Sequence, residues 1–421
     1  MLAAGCAVGL GNVWRFPFVA GENGGAAFVL VYLLCLAVLG YPLLACEIAA
    51  GRAARQGIGK ALPALAKSRK RLWRAIALAM FAGNAVLMMY YTDVCGWLVR
   101  YAFEFASGGA PAPGQAAEHF AAVRADVPKS ALYCALSVAL ATFACAAGVQ
   151  KGVERITKWM MLALLGLLGL LAFKSLTLPG AAEGLKFYLA PDWGKFLSHP
   201  FKSLADAMGQ AFFTLSVGVG CMTIFGSYMP SHRTIATECA WIVAIDTAVA
   251  LLSGVIVFPA CATYSIEYTQ GPGLVFAALA EVFARMAAGR VWGTCFFLFL
   301  SLAALTTVIS VFECIIGGII DETSKSRRKT AVFTGFAVFA ASMPCVVAAE
   351  KVLGVEDFLV SQIWLPAGAL AIGIFCSRDF AWGYEPFAAA SNTGRGLKFG
   401  KTMRFALRWA VPAGVIFILA V

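Results

Sequence analysis

Eleven apolar runs of bilayer-crossing length place this chain in a membrane. About 20 apolar residues in a helix reach across the hydrocarbon core. Backbone groups there must be satisfied within the protein, so the spans are helical. The runs lie near 1–21, 26–50, 75–105, 130–148, 154–173, 202–226, 235–262, 291–320, 330–348, 358–376 and 403–421. With 61% hydrophobic and 13% charged residues, residues 1–421 read as a single all-α integral membrane domain. The net charge of +11 raises nucleic acid as a partner, but its placement excludes one. Lys60, Lys67, Arg69, Lys70 and Arg71 crowd the loop after the second run, and Lys325, Arg327, Arg328 and Lys329 the loop after the eighth. That is the positive-inside pattern of a multi-pass protein in the cell's inner (plasma) membrane. Parity then puts Lys151 and Arg155, Arg233, and Arg395, Lys398 and Lys401 on the same side, with the amino terminus in the cytoplasm. No cleavable signal peptide is visible. The longer external loops, 106–129 and 174–201, carry Gly, Pro and scattered acids, and the second is expected to hold short helices. The thirteen cysteines sit in or beside apolar runs with no CxxC pair, and read as small buried side chains, neither metal ligands nor disulfides.

The first run is a poor helix. Gly5-Cys6-Ala7-Val8-Gly9-Leu10-Gly11-Asn12-Val13-Trp14-Arg15-Phe16-Pro17 has three glycines in seven residues, each costing up to about 1 kcal/mol against alanine. Arg15 costs at least about 2.5 kcal/mol at membrane depth, and Pro17 removes a backbone donor. Non-helical backbone survives there only where protein buries it or water lines it. The run is therefore either a bad helix tolerated by packing or one broken to hold an ion or solute. Gln210-Ala211-Phe212-Phe213-Thr214-Leu215-Ser216-Val217-Gly218-Val219-Gly220 interrupts the sixth run in the same way. Close helix packing is the alternative use of Gly218 and Gly220. Paired with the first run, they indicate two repeats with a site between them.

Ala7 to Pro17, continued by Gly21-Glu22-Asn23-Gly24-Gly25-Ala26-Ala27-Phe28, resembles the first transmembrane segment of the neurotransmitter:sodium symporter family. The likeness is greatest to the bacterial amino-acid members with the leucine-transporter fold, and it recurs in patches along nearly the whole chain. It implies two inverted five-helix repeats, 1–173 and 202–376, with broken first and sixth helices, and 403–421 as an extra eleventh helix. The implied function is sodium-coupled symport of a neutral hydrophobic L-amino acid by alternating access. A transport-inactive amino-acid sensor of the same fold is the alternative; a channel and an enzyme fit less well, since the chain carries both repeats itself and shows no nucleophile–base pair. A monomer or weak dimer is expected.

Two Na⁺ sites follow from the resemblance. One would use the carbonyls of Gly5, Val8 and Ala303 with the hydroxyls of Thr306 and Thr307. Those hydroxyls also suit back-bonding to the carbonyl one turn earlier. The other would use Ala7, Asn12, Thr214 and Asp246, completed by the substrate carboxylate. Asp246 departs from the usual Asn. Ala250 stands where relatives bind chloride with Ser or replace it with Glu, while Tyr32, Gln210 and Thr214 match the rest of that cage, so transport is expected not to require chloride. The substrate carboxylate would meet Leu10, Gly11 and the Tyr91 hydroxyl, although Tyr90-Tyr91 alone reads as packing. Gly9 stands where amine transporters place Asp, which points to an α-amino acid. Leu87, Phe213, Ser216, Val219, Val308 and Val311 would line the side-chain pocket, Val219 replacing a Phe of the leucine transporter and so leaving room for bulk. Arg15 and Asp357 would pair as the outer gate over a lid of Phe213 and Tyr91. Tyr228 and Asp321 match inner-gate positions, and Glu47 matches the residue bracing the unwound sixth segment. Glu313, a further intramembrane acid, has no assigned role. Residue 1 aligns inside the first span, without the short arm that supplies an Arg to the acid matched by Asp321. The expectation is a true start upstream of Met1 or, failing that, a lean toward an inward-open state.

Overall fold

The computed structural model describes residues 2–267 and 273–421, and within them every named element is helical. Eight of the described helices are long and apolar enough to cross a membrane: Ala26–Ala54, Lys70–Ser107, Val127–Ala146, Gly152–Leu176, Ile235–Tyr264, Gly289–Thr323, Arg327–Ser377 and Lys401–Ala420. The remaining three of the eleven runs are accounted for by chain breaks and one merger. The first run divides into Leu2–Ala7 and a second half running from Gly11 to Glu22. The sixth divides into Pro200–Thr214 and Cys221–Tyr228. The ninth and tenth follow one another through a kink at Ala348, whose φ of −136° and ψ of 46° leave the helical region.

The tenth span therefore starts earlier than expected, because residues 349–357 are helical. Glu350, Lys351, Glu356 and Asp357 depress hydropathy there, so apolar patterning alone ends the run too late. Short helices occupy both long loops: Ala116–Ala125 in the first, Ala181–Leu189 and Trp193–Ser198 in the second.

Four wide π-turns share one cause. Gly11–Arg15, Leu36–Gly40, Leu359–Trp364 and Ala406–Ala410 each end two residues before a proline, namely Pro17, Pro42, Pro366 and Pro412. A proline inside a helix clashes with the carbonyl four residues back and offers it no donor. Shifting that turn to i→i+5 bonding relieves both problems without ending the helix.

The eighth span stands at the centre: 83% of its most apolar stretch is buried, against 39% and 33% for the fourth and fifth. Both halves of the site are built against it.

Candidate functional site

The break in the first span falls at Val8 and Gly9, which are not helical. The Asn12 side chain stabilises it by accepting the Gly9 N–H at 3.0 Å, while the Asn12 N–H donates to the Gly9 carbonyl at 3.2 Å. Glycine is required at position 9 by close approach. A Cβ there would stand 2.7 Å from Thr307 Oγ1 and 3.0 Å from Tyr91 Oη.

In the sixth span Leu215–Gly220 is the broken stretch, with Ser216, Gly218 and Gly220 in left-handed conformations. Gly218 has φ 106°, and a Cβ on it would lie 2.1 Å from the Leu365 carbonyl. The donors freed by the break are collected by one side chain. Glu47, buried in the second span, accepts the N–H groups of Gly218 at 2.6 Å and Gly220 at 3.2 Å on Oε1, and that of Met222 at 3.1 Å on Oε2.

Asn12, Thr214 and Asp246 form one buried cluster. Asn12 Nδ2 donates to Asp246 Oδ1 at 2.8 Å and lies 3.0 Å from Thr214 Oγ1, whose hydroxyl donates to Asp246 Oδ2 at 2.9 Å. The carboxylate is fully buried and both its oxygens meet only neutral donors. Paired intramembrane charge is the rule, and a hard monovalent cation suits an all-oxygen set of this kind. Nearby, Gln210 Nε2 donates to the Gly11 carbonyl at 3.0 Å, while Tyr32 Oη and Gln210 Oε1 are buried without partners.

Three of the other expected ion ligands, Ala303, Thr306 and Thr307, lie together on the eighth span, against which the first span packs. A Cβ on Gly5 would lie 3.8 Å from Thr306 Cβ, as Gly9 faces Thr307. Both hydroxyls donate back to the Ala303 carbonyl, at 2.8 Å from Thr306 and 3.3 Å from Thr307. The carbonyl and the two hydroxyls are thus already gathered, and Val8 at the break lies outside regular helix.

Between the two breaks lies a cavity of about 30 Å³. Ala7, Gly9, Leu10, Gly11, Leu87, Tyr91, Phe213, Thr214, Ser216 and Val219 all line it. The Leu10 N–H donates to Tyr91 Oη at 3.2 Å. Val308 and Val311 do not line it. Both are buried, Val311 one turn beyond Thr307 on the same helix face, and in the eighth span Thr307 is the residue presented to the cavity. Cys6, Val360 and Leu365, which the sequence reading missed, complete the wall. Cys6 is the neighbour of a broken turn and was legible from that alone; Val360 and Leu365 carry no local signal.

Leu10, Gly11, Tyr91 and Phe213 also line a second cavity of about 40 Å³, together with Trp14, Arg15, Tyr90 and Asp357. Arg15 and Asp357 face this second space without forming the ion pair expected of them. The Arg15 guanidinium rests 4.8 Å from the Phe213 ring centroid, and Asp357 Oδ1 accepts the Tyr90 hydroxyl at 3.0 Å. Each has found a nearer partner, one through cation–π attraction and one through a hydrogen bond.

At the end carrying the basic loops, Tyr228 and Asp321 have separate partners. Tyr228 donates to Glu313 Oε1 at 2.8 Å, and Arg327 donates to both oxygens of Glu313, at 3.0 Å on Oε2. Glu313 thereby acquires a place: it joins the sixth, eighth and ninth spans. Asp321 Oδ2 accepts the Gly57 N–H at 2.7 Å, and Lys60 donates to the Asp321 carbonyl.

Known proteins match along the whole chain. The sodium:neurotransmitter symporter family model covers residues 1–111 and 124–420. An uncharacterized sodium-dependent transporter of Bacillus subtilis, YhdH, is 33% identical across 99% of this chain and 94% of its own length. The sodium-dependent serotonin transporter of Drosophila melanogaster is 27% identical across 99% of this chain and 73% of its own. The structure of MhsT in complex with L-phenylalanine superposes with a TM-score of 0.90 at 32% identity, covering 100% of this chain and 96% of that one. With its two broken helices, oxygen-lined cluster and family match, this chain belongs to the sodium:neurotransmitter symporter family and is a sodium-dependent membrane transporter, not an enzyme.

Proposed function

We propose that the protein takes a neutral hydrophobic L-amino acid into the cell together with Na⁺, by alternating access between two inverted repeats, 1–173 and 202–376. The observation that carries this reading is the cavity between the two breaks. Its wall offers apolar side chains, the Leu10 and Gly11 backbone and the Tyr91 hydroxyl, and no ionised group. The chemistry of this wall suits a zwitterion once the cavity widens beyond its present volume of about 30 Å³, the carboxylate meeting the backbone and a bound cation while the side chain lies among Leu87, Phe213 and Val219. The L-phenylalanine bound by MhsT supports the substrate class. Two sodium ions would travel as cargo, one held by Ala7, Asn12, Thr214 and Asp246, the other by Gly5, Val8, Ala303, Thr306 and Thr307. Arg15 and Asp357 would close the outer path, and Tyr228 and Asp321 would belong to the inner one, with the amino terminus in the cytoplasm of a plasma-membrane protein.

Scintillation-proximity binding of hydrophobic amino acids in Na⁺ and in K⁺ buffers tests the ion dependence. Equal binding in both would sink it. Proteoliposome uptake under an imposed Na⁺ gradient then separates a transporter, which accumulates the amino acid, from a sensor, which only binds it. Replacing Thr306 and Thr307 with valine keeps their shape and removes two oxygen ligands. The double variant should bind Na⁺ at least tenfold more weakly, from about 1 kcal/mol or more per lost ligand, with an unchanged melting temperature. An unchanged Na⁺ titration would remove those hydroxyls from the site.

A further inference from the structure

The lipid-facing surface between the fourth and ninth spans holds a groove of about 500 Å³, apolar in every lining residue except Thr142. Its floor is Gly335, where the two helices come so close that a Cβ would stand 2.4 Å from Thr142 Oγ1. Its walls include Phe143 and Phe336, which project from the surface with 70% and 73% exposure.

The ninth-span wall is a single stripe. Val332, Gly335, Phe336 and Phe339 recur at the spacing of one helix face. Continued one turn toward the basic end, the stripe meets Arg328, four residues before Val332, with Lys329 beside it. Both are exposed, and among the described residues neither has an acidic partner, whereas the adjacent Arg327 is tied to Glu313. An apolar channel thus runs into an unsatisfied pair of cations at the membrane end where basic loops gather.

We propose that this groove is a binding site for an anionic phospholipid, one acyl chain lying along Gly335 and the phosphate resting on Arg328 and Lys329. Charge decides between occupants. A neutral lipid would fill the channel and leave the cations unused. A second copy of the chain meeting this face about a two-fold axis would bring like charges together. An anionic headgroup satisfies both ends of the feature. It would also lie one residue from Arg327, and so beside the Tyr228–Glu313–Arg327 cluster.

Native mass spectrometry of the full chain, exchanged into an equimolar mixture of phosphatidylglycerol and phosphatidylcholine, reads the site without reference to transport. The wild type should retain one phosphatidylglycerol in preference to phosphatidylcholine. Each basic residue near a bilayer surface changes anion affinity about fivefold, so Arg328→Gln with Lys329→Gln should cut that preference about twentyfold. Both residues are exposed and unpaired, so this variant folds normally. Gly335→Leu, whose side chain would run into Thr142 and wedge the two walls of the groove apart, should lose the bound lipid; if it fails to fold, Phe336→Ala, which lowers a wall, should weaken retention instead. Equal retention of the two lipids by the wild type, or an unchanged preference in the double variant, overturns the proposal. So does a lipid-free dimer that Phe336→Ala dissociates, which would assign the face to a second copy.

Discussion

Glu47→Leu should abolish amino-acid binding and lower the melting temperature more than any other single change at the site. The substitution removes the acceptor of three backbone N–H groups at once, those of Gly218, Gly220 and Met222. Each buried donor left unsatisfied costs about 1–3 kcal/mol, on the order of 5 kcal/mol together. No rearrangement of the segment offers an easy escape, since Gly218 is already packed on the Leu365 carbonyl. Glu47→Gln keeps one oxygen but turns a donor toward the same N–H groups, so it should fall between wild type and Glu47→Leu. Thermal unfolding in detergent, with and without Na⁺ and substrate, checks both. A Glu47→Leu protein that melts within a few degrees of wild type and still binds would mean that the sixth segment holds its shape without this carboxylate.

The second large effect is expected at Asp246. If its carboxylate neutralises a bound Na⁺, Asp246→Asn removes one unit of attraction while keeping the size of the side chain. At about 4 Å and an effective dielectric constant of about 20, that attraction is worth roughly 4 kcal/mol, close to a thousandfold in affinity. The Na⁺ concentration giving half-maximal binding should rise steeply. On the same reading, wild-type transport should be indifferent to replacing chloride by gluconate, because Asp246 would already supply a fixed negative charge beside the proposed Na⁺ sites and Ala250 offers an anion no ligand. The asparagine variant should regain part of its activity with chloride, next to the unpartnered Tyr32 hydroxyl. Collapse of wild-type uptake in gluconate would contradict this account. A variant with normal Na⁺ affinity would place the ion elsewhere.

How much of this was legible in the sequence varied with how local the cause is. The breaks at Val8–Gly9 and Leu215–Gly220 announce themselves, because glycine clusters, Asn12 and Pro17 act on their own backbone. Asp246 stands out as an acid inside an apolar run, whereas the role of Glu47 came only with the family resemblance. The cavity wall was not fully legible. The eighth span is buried on nearly every face from Ala303 to Gly317, so hydrophobicity carries no phase and gives no reason to choose Thr307 over Val308 or Val311. The partners of Arg15 and Asp357 depend on distances of a few ångströms between separate helices, which no local pattern encodes. The early start of the tenth span was hidden because Glu350, Lys351, Glu356 and Asp357 make residues 349–357 look like a loop.

The cluster of Tyr228, Glu313 and Arg327 has a consequence for how easily the molecule can open at its basic end. Glu313 is wholly enclosed and Arg327 only 23% exposed, so both ions gave up most of their hydration to meet. Separating them in a dry interior would be prohibitive, but a path that opened at this end would admit water to both at the moment they part. Renewed hydration then offsets much of the lost attraction, as it does for buried ion pairs in general. If this end opens as the proposed alternating access requires, such a closure would resist dry distortion and yield once a continuous column of water reaches it.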